Sequence, residues 1–128
     1  MKSEKNNAKF KYELKKRVYI YSIKIIKLID FLNKRDPVIQ VIARQLLRSA
    51  TSIWANIVEA QSGRTRRDFA NFLCYGLKSA NETKFWLGLL RDSKKVEDTK
   101  VNPPLKETYE LARILGSSIL TLKRKRKF

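Results

Sequence analysis

The 128-residue chain contains no histidine. That removes the imidazole general acid or base, the Ser–His and Cys–His nucleophiles, and nearly all zinc and di-iron sites. A single cysteine, Cys74, allows no intramolecular disulfide and fits a reducing cytoplasm. On a helix it is expected to serve as a small hydrophobe. Four glycines and three prolines give little punctuation for turns, and no segment alternates apolar and polar residues at strand period. Long apolar runs are missing as well. VYIYSIKIIKLIDFL carries Lys24, Lys27 and Asp30, so it is not a membrane-spanning helix. The Lys-rich start has no apolar stretch or small-residue cleavage site after it, so no signal peptide is expected. These absences predict a cytoplasmic protein that needs no metal or cofactor.

Acidic residues are scarce. Twelve Asp and Glu face 29 Lys and Arg, for a net charge of +17. Solubility asks for a net charge of only about 2–8 in a small domain. Such an excess attracts polyanions and opposes self-packing. Nucleic acid is the simplest partner; an anionic membrane or an acidic protein comes next.

Apolar residues make up 43% of the chain and are patterned, so one globular domain over 1–128 is expected. Leu14, Val18, Tyr21, Ile25, Leu28 and Leu32 recur every three or four residues and predict a helix over about 10–34. Asp36-Pro37 reads as an N-cap and first helical residue. The next helix spans about 38–61, with Ile39, Ile42, Leu46, Ala50, Ile53, Ile57 and Ala60 inward. Ser62-Gly63 reads as its stop, with glycine in the left-handed cap conformation. Thr65-Arg66-Arg67-Asp68 resembles a capping box for a third helix over about 66–93. That helix buries Phe69, Phe72, Gly76, Ala80, Thr83, Leu87 and Leu90, with Leu73, Leu77 and Trp86 in a second row. DSKKVEDTKV is expected as the longest loop. Asn102-Pro103-Pro104 is expected to open a fourth helix over about 103–123, burying Leu105, Tyr109, Ala112, Leu115, Ile119 and Leu122. Short connections favour an all-α, antiparallel up-down-up-down bundle. Ile20, Ile23, Ile26, Phe31, Trp54 and Leu89 fall off the inward stripes and suggest subunit contacts.

This topology gathers charge at one end. The start of the first helix brings Lys2, Lys5, Lys9, Lys11, Lys15, Lys16 and Arg17. The turn brings Arg64, Arg66 and Arg67, and the tail brings Lys123, Arg124, Lys125, Arg126 and Lys127. Together they are 15 of the 29 cations. At the other end Lys34, Arg35, Lys94, Lys95 and Lys100 are offset by Asp36, Asp92, Glu97 and Asp98. The turn QSGRTRRDF lacks the spacing and the Lys-Ser/Thr of a phosphate-cradling loop, and no strand precedes it. Its arginines beside a helix N-terminus suit a backbone phosphate, or else form a solvated charge cluster. From these, Lys11, Lys15, Lys16, Arg17, Arg64, Arg66, Arg67, Lys123, Arg124, Lys125 and Arg126 are the candidate nucleic-acid contacts. Tyr12, Tyr19 and Tyr21 are candidate stacking platforms beside them, whereas Trp54, Phe85 and Trp86 read as core or interface.

Polar rows run along the second helix (Gln45, Ser49, Ser52, Asn56, Glu59) and the third (Asn71, Tyr75, Ser79, Glu82). They read as a solvated or inter-subunit face. Glu59 and Glu82 lack a third ligand for a metal, and no catalytic residue is assigned. If buried, either would cost stability when replaced.

RSATSIWANIVEAQSGRTRRDFANFLCYGLKSANET, Arg48 to Thr83, resembles the four-helix-bundle family encoded in intervening sequences of bacterial large-subunit ribosomal RNA. The resemblance rests on Ser52-Ile53, Asn56-Ile57-Val58-Glu59, the basic turn, Phe69, Phe72-Leu73, and Ser79 with Glu82. Ala60 stands where the family usually has glycine. One branch is the accessory variability determinant (Avd) of diversity-generating retroelements. Its members form basic homopentameric barrels that bind nucleic acid and a reverse transcriptase. The resemblance implies a non-enzymatic accessory protein that binds RNA, DNA or an RNA–DNA hybrid and a reverse transcriptase. The alternatives are a ribosomal-RNA-associated bundle and a structural bundle with an acidic protein partner. The +17 charge points toward the retroelement branch.

Overall fold

A computed structural model describes residues 2–63 and 65–126, with side chains over 8–63 and 65–124. Four helices, α1 (Lys2–Asp30), α2 (Pro37–Ser62), α3 (Arg66–Asp92) and α4 (Asp98–Arg126), account for nearly all of it. Each packs on its two neighbours around the ring. The α2–α3 contact is the most extensive and α1–α4 the least. This is the antiparallel four-helix bundle that the periodicity predicts, and the α1 and α2 stripes are buried throughout.

The caps show why the elements begin and end where they do. The Asp36 carboxylate accepts hydrogen bonds from Val38 N (2.9 Å) and Ile39 N (3.5 Å), with Pro37 at the first helical position. Lys95 Nζ lies 2.7 Å from the other Asp36 oxygen and ties the start of α2 to the end of α3. The Lys95 hydrogen bond, helped by the backbone donors, holds the Asp36 carboxyl below its ordinary value. Depression means stability present above the unfolded value, about 3.9, and lost as pH falls through the folded value. Acid titration of wild type and Asp36→Asn should therefore show one fewer destabilising protonation below about pH 4 in the variant.

Several boundaries depart from the sequence expectation. α1 ends at Asp30 rather than Lys34, because Phe31 N and Leu32 N turn back to the Leu28 and Ile29 carbonyls. Gly63 closes α2 in an extended conformation (φ −63°, ψ 145°), not a left-handed one. Its value there is room: a Cβ would lie 3.2 Å from both the Ala60 carbonyl oxygen and the Asp68 Cβ. The left-handed cap belongs instead to Lys94 (φ 59°) after α3. There Lys94 N donates to the Arg91 carbonyl and Lys95 N to the Leu90 carbonyl, the paired bonds of a Schellman ending.

α4 starts at Asp98, so Pro103 and Pro104 lie inside it. The expected loop shrinks to residues 93–97. The early start covers the bundle end, since Val101 and Pro104 are both buried. Lying beyond the first turn, the two prolines remove the bonds to the Thr99 and Lys100 carbonyls and crowd those oxygens. One position of the expected α4 row is corrected, while Leu105, Ala112, Leu115 and Ile119 are buried as expected. Tyr109 is 56% exposed, and Thr108 and Leu111 point inward. Thr108 Oγ1 donates to the Pro104 carbonyl (2.7 Å), so its remaining capacity accepts from Tyr21 (2.6 Å). Burial pushes the Tyr21 hydroxyl above its ordinary value, which keeps it a donor. Cys74 is exposed, contrary to expectation.

Candidate nucleic-acid interface

Three segments meet at one end of the bundle. Thr65 caps α3 by accepting Asp68 N at 3.0 Å, which fixes how the chain enters from the turn. Gln61 Nε2 donates to the Lys11 carbonyl (2.9 Å), so α2 finishes level with Lys11. Residues 2–10 of α1 therefore run past the α2–α3 turn by about 13 Å at 1.5 Å per residue. The end of α4 runs beside them, since Arg17 is level with Glu107 and Glu110.

The predicted cations fall into distinct settings. Lys11 places its Nζ 4.9 Å above the Phe69 ring. Lys15 is half-buried, and Lys16, Arg66, Arg67, Lys123 and Arg124 are exposed. Among the described residues no carboxylate pairs with any of these seven. Arg64 and the side chains of Lys2, Lys5, Lys125 and Arg126 lie outside the described residues, as does Lys127.

Arg17 has a different setting. Its Nε and Nη2 donate to the two Glu107 oxygens at 2.7 Å each, and Nη2 also reaches Glu110 at 2.6 Å. The Glu107 hydrogen bond leads the causes that lift its pKa above the ordinary arginine value, against partial desolvation. With two carboxylates on it, Arg17 clips α1 to α4 and offers no free charge to a phosphate. Arg17→Ala should cost about 1 kcal/mol in urea unfolding, the scale of a partly exposed bidentate pair. It should change RNA affinity little, because the Arg17 charge is already committed to Glu107 and Glu110.

The opposite end is partly paired. Lys95 pairs with Asp36 (2.7 Å) and Lys94 with Asp98 (3.5 Å), while Lys34 donates to the Asp30 carbonyl. Lys100 sits 4.1 Å over the Phe31 ring.

The stacking candidates separate as well. Tyr21 is 1% exposed and cannot meet a base. Tyr12 and Tyr19 are exposed, and Tyr19 packs edge-on to Trp54. Ser49 leaves the expected polar row for the core, where it and Thr83 satisfy each other and the Leu46 and Ser79 carbonyls. Glu82 pairs with Arg48 at 2.9 Å on the surface, and Glu59 is exposed. Neither is a buried carboxylate, so replacing either leaves the core intact. Among the described residues no cluster of three Cys, Asp or Glu could hold a metal, and no helix is long and apolar enough to cross a membrane.

Sequence reasoning missed Arg113. It lies on the exposed face of α4 and, with Ser117, borders the same opening as Lys11 and Arg66.

The chain has no match among curated proteins. It is similar to a crystal structure from Bacteroides thetaiotaomicron VPI-5482, described as a protein of unknown function from the S23 ribosomal protein family. The two share 34% identity over 83% of this chain and 97% of the other, with a TM-score of 0.76. Residues 11–117 match the 23S rRNA-intervening sequence protein family. That match takes in all four helices and the basic turn, so the chain belongs to this family.

Proposed function

We propose that this protein is a non-enzymatic RNA-binding bundle that associates with ribosomal RNA and holds it by its phosphates. One observation carries the reading: cations from α1, the α2–α3 turn and α4 with no carboxylate partner among the described residues converge at one end, while at the other end Lys94 and Lys95 are paired and acidic residues offset the rest. The family's name supplies the ribosomal context. The test is affinity for structured ribosomal RNA and for heparin across a salt series. RNA affinity should fall by about 0.7–0.9 log units per log unit of salt for each phosphate contacted, and RNA should win over heparin at matched charge. Binding to heparin alone would favour an acidic protein partner instead. The purified chain should show no nuclease or nucleotidyl-transfer activity.

Assembly belongs to the same reading. Tyr12, Tyr19, Ile23 and Ile26 are exposed on α1 at spacings of seven, four and three residues, and Ile20 lies beside them. The Trp54 indole nitrogen is buried without a partner next to Tyr19. An unpartnered apolar stripe of this kind fits a subunit seam. A homopentamer, as the family resemblance implies, would line up five basic ends. Light scattering showing only the 15.0 kDa monomer at moderate salt would exclude assembly. The +17 charge favours a second reading, an accessory to a reverse transcriptase acting on RNA or an RNA–DNA hybrid; a reverse transcriptase beside its gene and co-purification of the two would select it.

A further inference from the structure

The basic end is not solid. A cavity of about 720 Å³ opens between Phe10, Lys11 and Leu14 of α1, the α2–α3 turn and the later turns of α4. Its volume falls in the range of small-molecule sites, roughly 300–1,000 Å³. Buried Leu14, Ile57 and Leu73 form part of the lining, and Phe10 and Phe69 bring aromatic rings to it. Three cations from three elements, Lys11, Arg66 and Arg113, also line it. One wall is polar: Ser117, Ser118 and Thr121 from α4 face it, with Gln61 and Thr65. Ser118 and Thr121 give their protons to the Ile114 and Ser117 carbonyls, which leaves their oxygens as acceptors. Gln61 donates to Lys11 and keeps its carbonyl oxygen free.

We infer that this cavity receives an unpaired nucleobase of single-stranded RNA, with the flanking phosphates on Lys11, Arg66 and Arg113. The inference rests on the phosphate-binding reading and adds recognition of strand state to it. A flat apolar body with a polar edge matches a lining that is greasy on one side and hydroxylated on another. Base recognition in RNA works this way, on splayed bases of loops and ends that stack on aromatic and Arg planes. A long acyl carboxylate is the competing ligand for an apolar hole rimmed by cations. It has one anionic group for three cations and nothing to meet the hydroxyls. A strand offers a phosphate on each side of the base.

The experiment compares two oligonucleotides of equal length and charge, one intact single-stranded RNA and one with abasic residues throughout. Both should bind with the same salt slope, and the intact strand should bind about five- to a hundredfold more tightly, the scale of base stacking on a protein aromatic. Ser117→Trp, which fills the cavity from an exposed position, and Phe10→Ala, which removes a ring, should each shrink that ratio toward one. Either variant alone suffices if the other misfolds. In wild type, 4-thiouridine photocrosslinks should map to residues 10–14 and 114–122. Equal affinity for the two strands, or crosslinks confined to the Tyr12–Tyr19 face, would overturn the inference while leaving phosphate binding standing. So would a fluorescent fatty acid that fills the cavity and is not displaced by RNA. Loss of salt-dependent binding to both strands would instead remove the phosphate reading itself.

Discussion

Changing Arg64, Arg66 and Arg67 together to alanine is expected to flatten the salt dependence of RNA binding by about 2–3 log units of affinity per tenfold change in salt. Three lost phosphate contacts at 0.7–0.9 each give that range. Affinity at low salt should drop steeply, and the variant should approach wild type as salt rises. Arg66 and Arg67 are exposed and outside the core, so thermal stability should move little. Replacing Lys34, Arg35, Lys94 and Lys95 removes more formal charge but should cost less RNA affinity. Lys94 and Lys95 already serve Asp98 and Asp36, so little of their charge is available to a phosphate. Salt titrations of both variants, with circular dichroism for folding, check this. Equal losses would mean that net charge rather than the basic end binds RNA.

The largest stability effect is expected at Leu115. It is fully buried and packs beside Gly76 of α3. Leu115→Ala should destabilise the bundle by about 2–5 kcal/mol in urea unfolding, through lost burial and the cavity left behind. Gly76→Ala points the other way. Its added methyl would sit 3.7 Å from Leu115 Cδ1 and from Asn56 Cβ, ordinary contact distances. Removing a mid-helix glycine then gains up to about 1 kcal/mol. In the double variant the new methyl faces the vacated space, so the two changes should couple favourably by about 0.5 kcal/mol or more. Leu120→Ala, at a residue 55% exposed, should stay within about 0.5 kcal/mol of wild type.

Much of the fold was readable from spacing because α1 and α2 bury regular apolar rows. In α4 the expected Leu105, Ala112, Leu115 and Ile119 are buried and one position fails, for a physical reason. Its inward row includes Thr108, whose hydroxyl is satisfied by Tyr21 and a carbonyl, while apolar-looking Tyr109 faces outward under Lys84. Periodicity weighs side-chain hydrophobicity and cannot see a hydrogen bond to a residue 87 positions away. The same limit hid the fate of Arg17, decided by Glu107 and Glu110 across the bundle. The gathering of cations at one end was readable, since it needs only helix order and direction. The cavity beneath them was not. It depends on how side chains from four elements, among them Phe10, Phe69 and Leu122, leave space between them, which helix order and direction do not fix.

The uneven packing of the four helices implies an order of release. α2 and α3 share the broadest contact, a buried Ser49–Thr83 pair and the close approach at Gly76. α1 is held to α4 chiefly by the Arg17 clip and the Tyr21 bond. Amide protons of α2 and α3 should therefore outlast those of α1 in exchange with deuterium, with α1 leaving as one cooperative unit. Such a departure would uncover the inner face of the bundle while the α2–α3 hairpin and its arginine turn stayed in place.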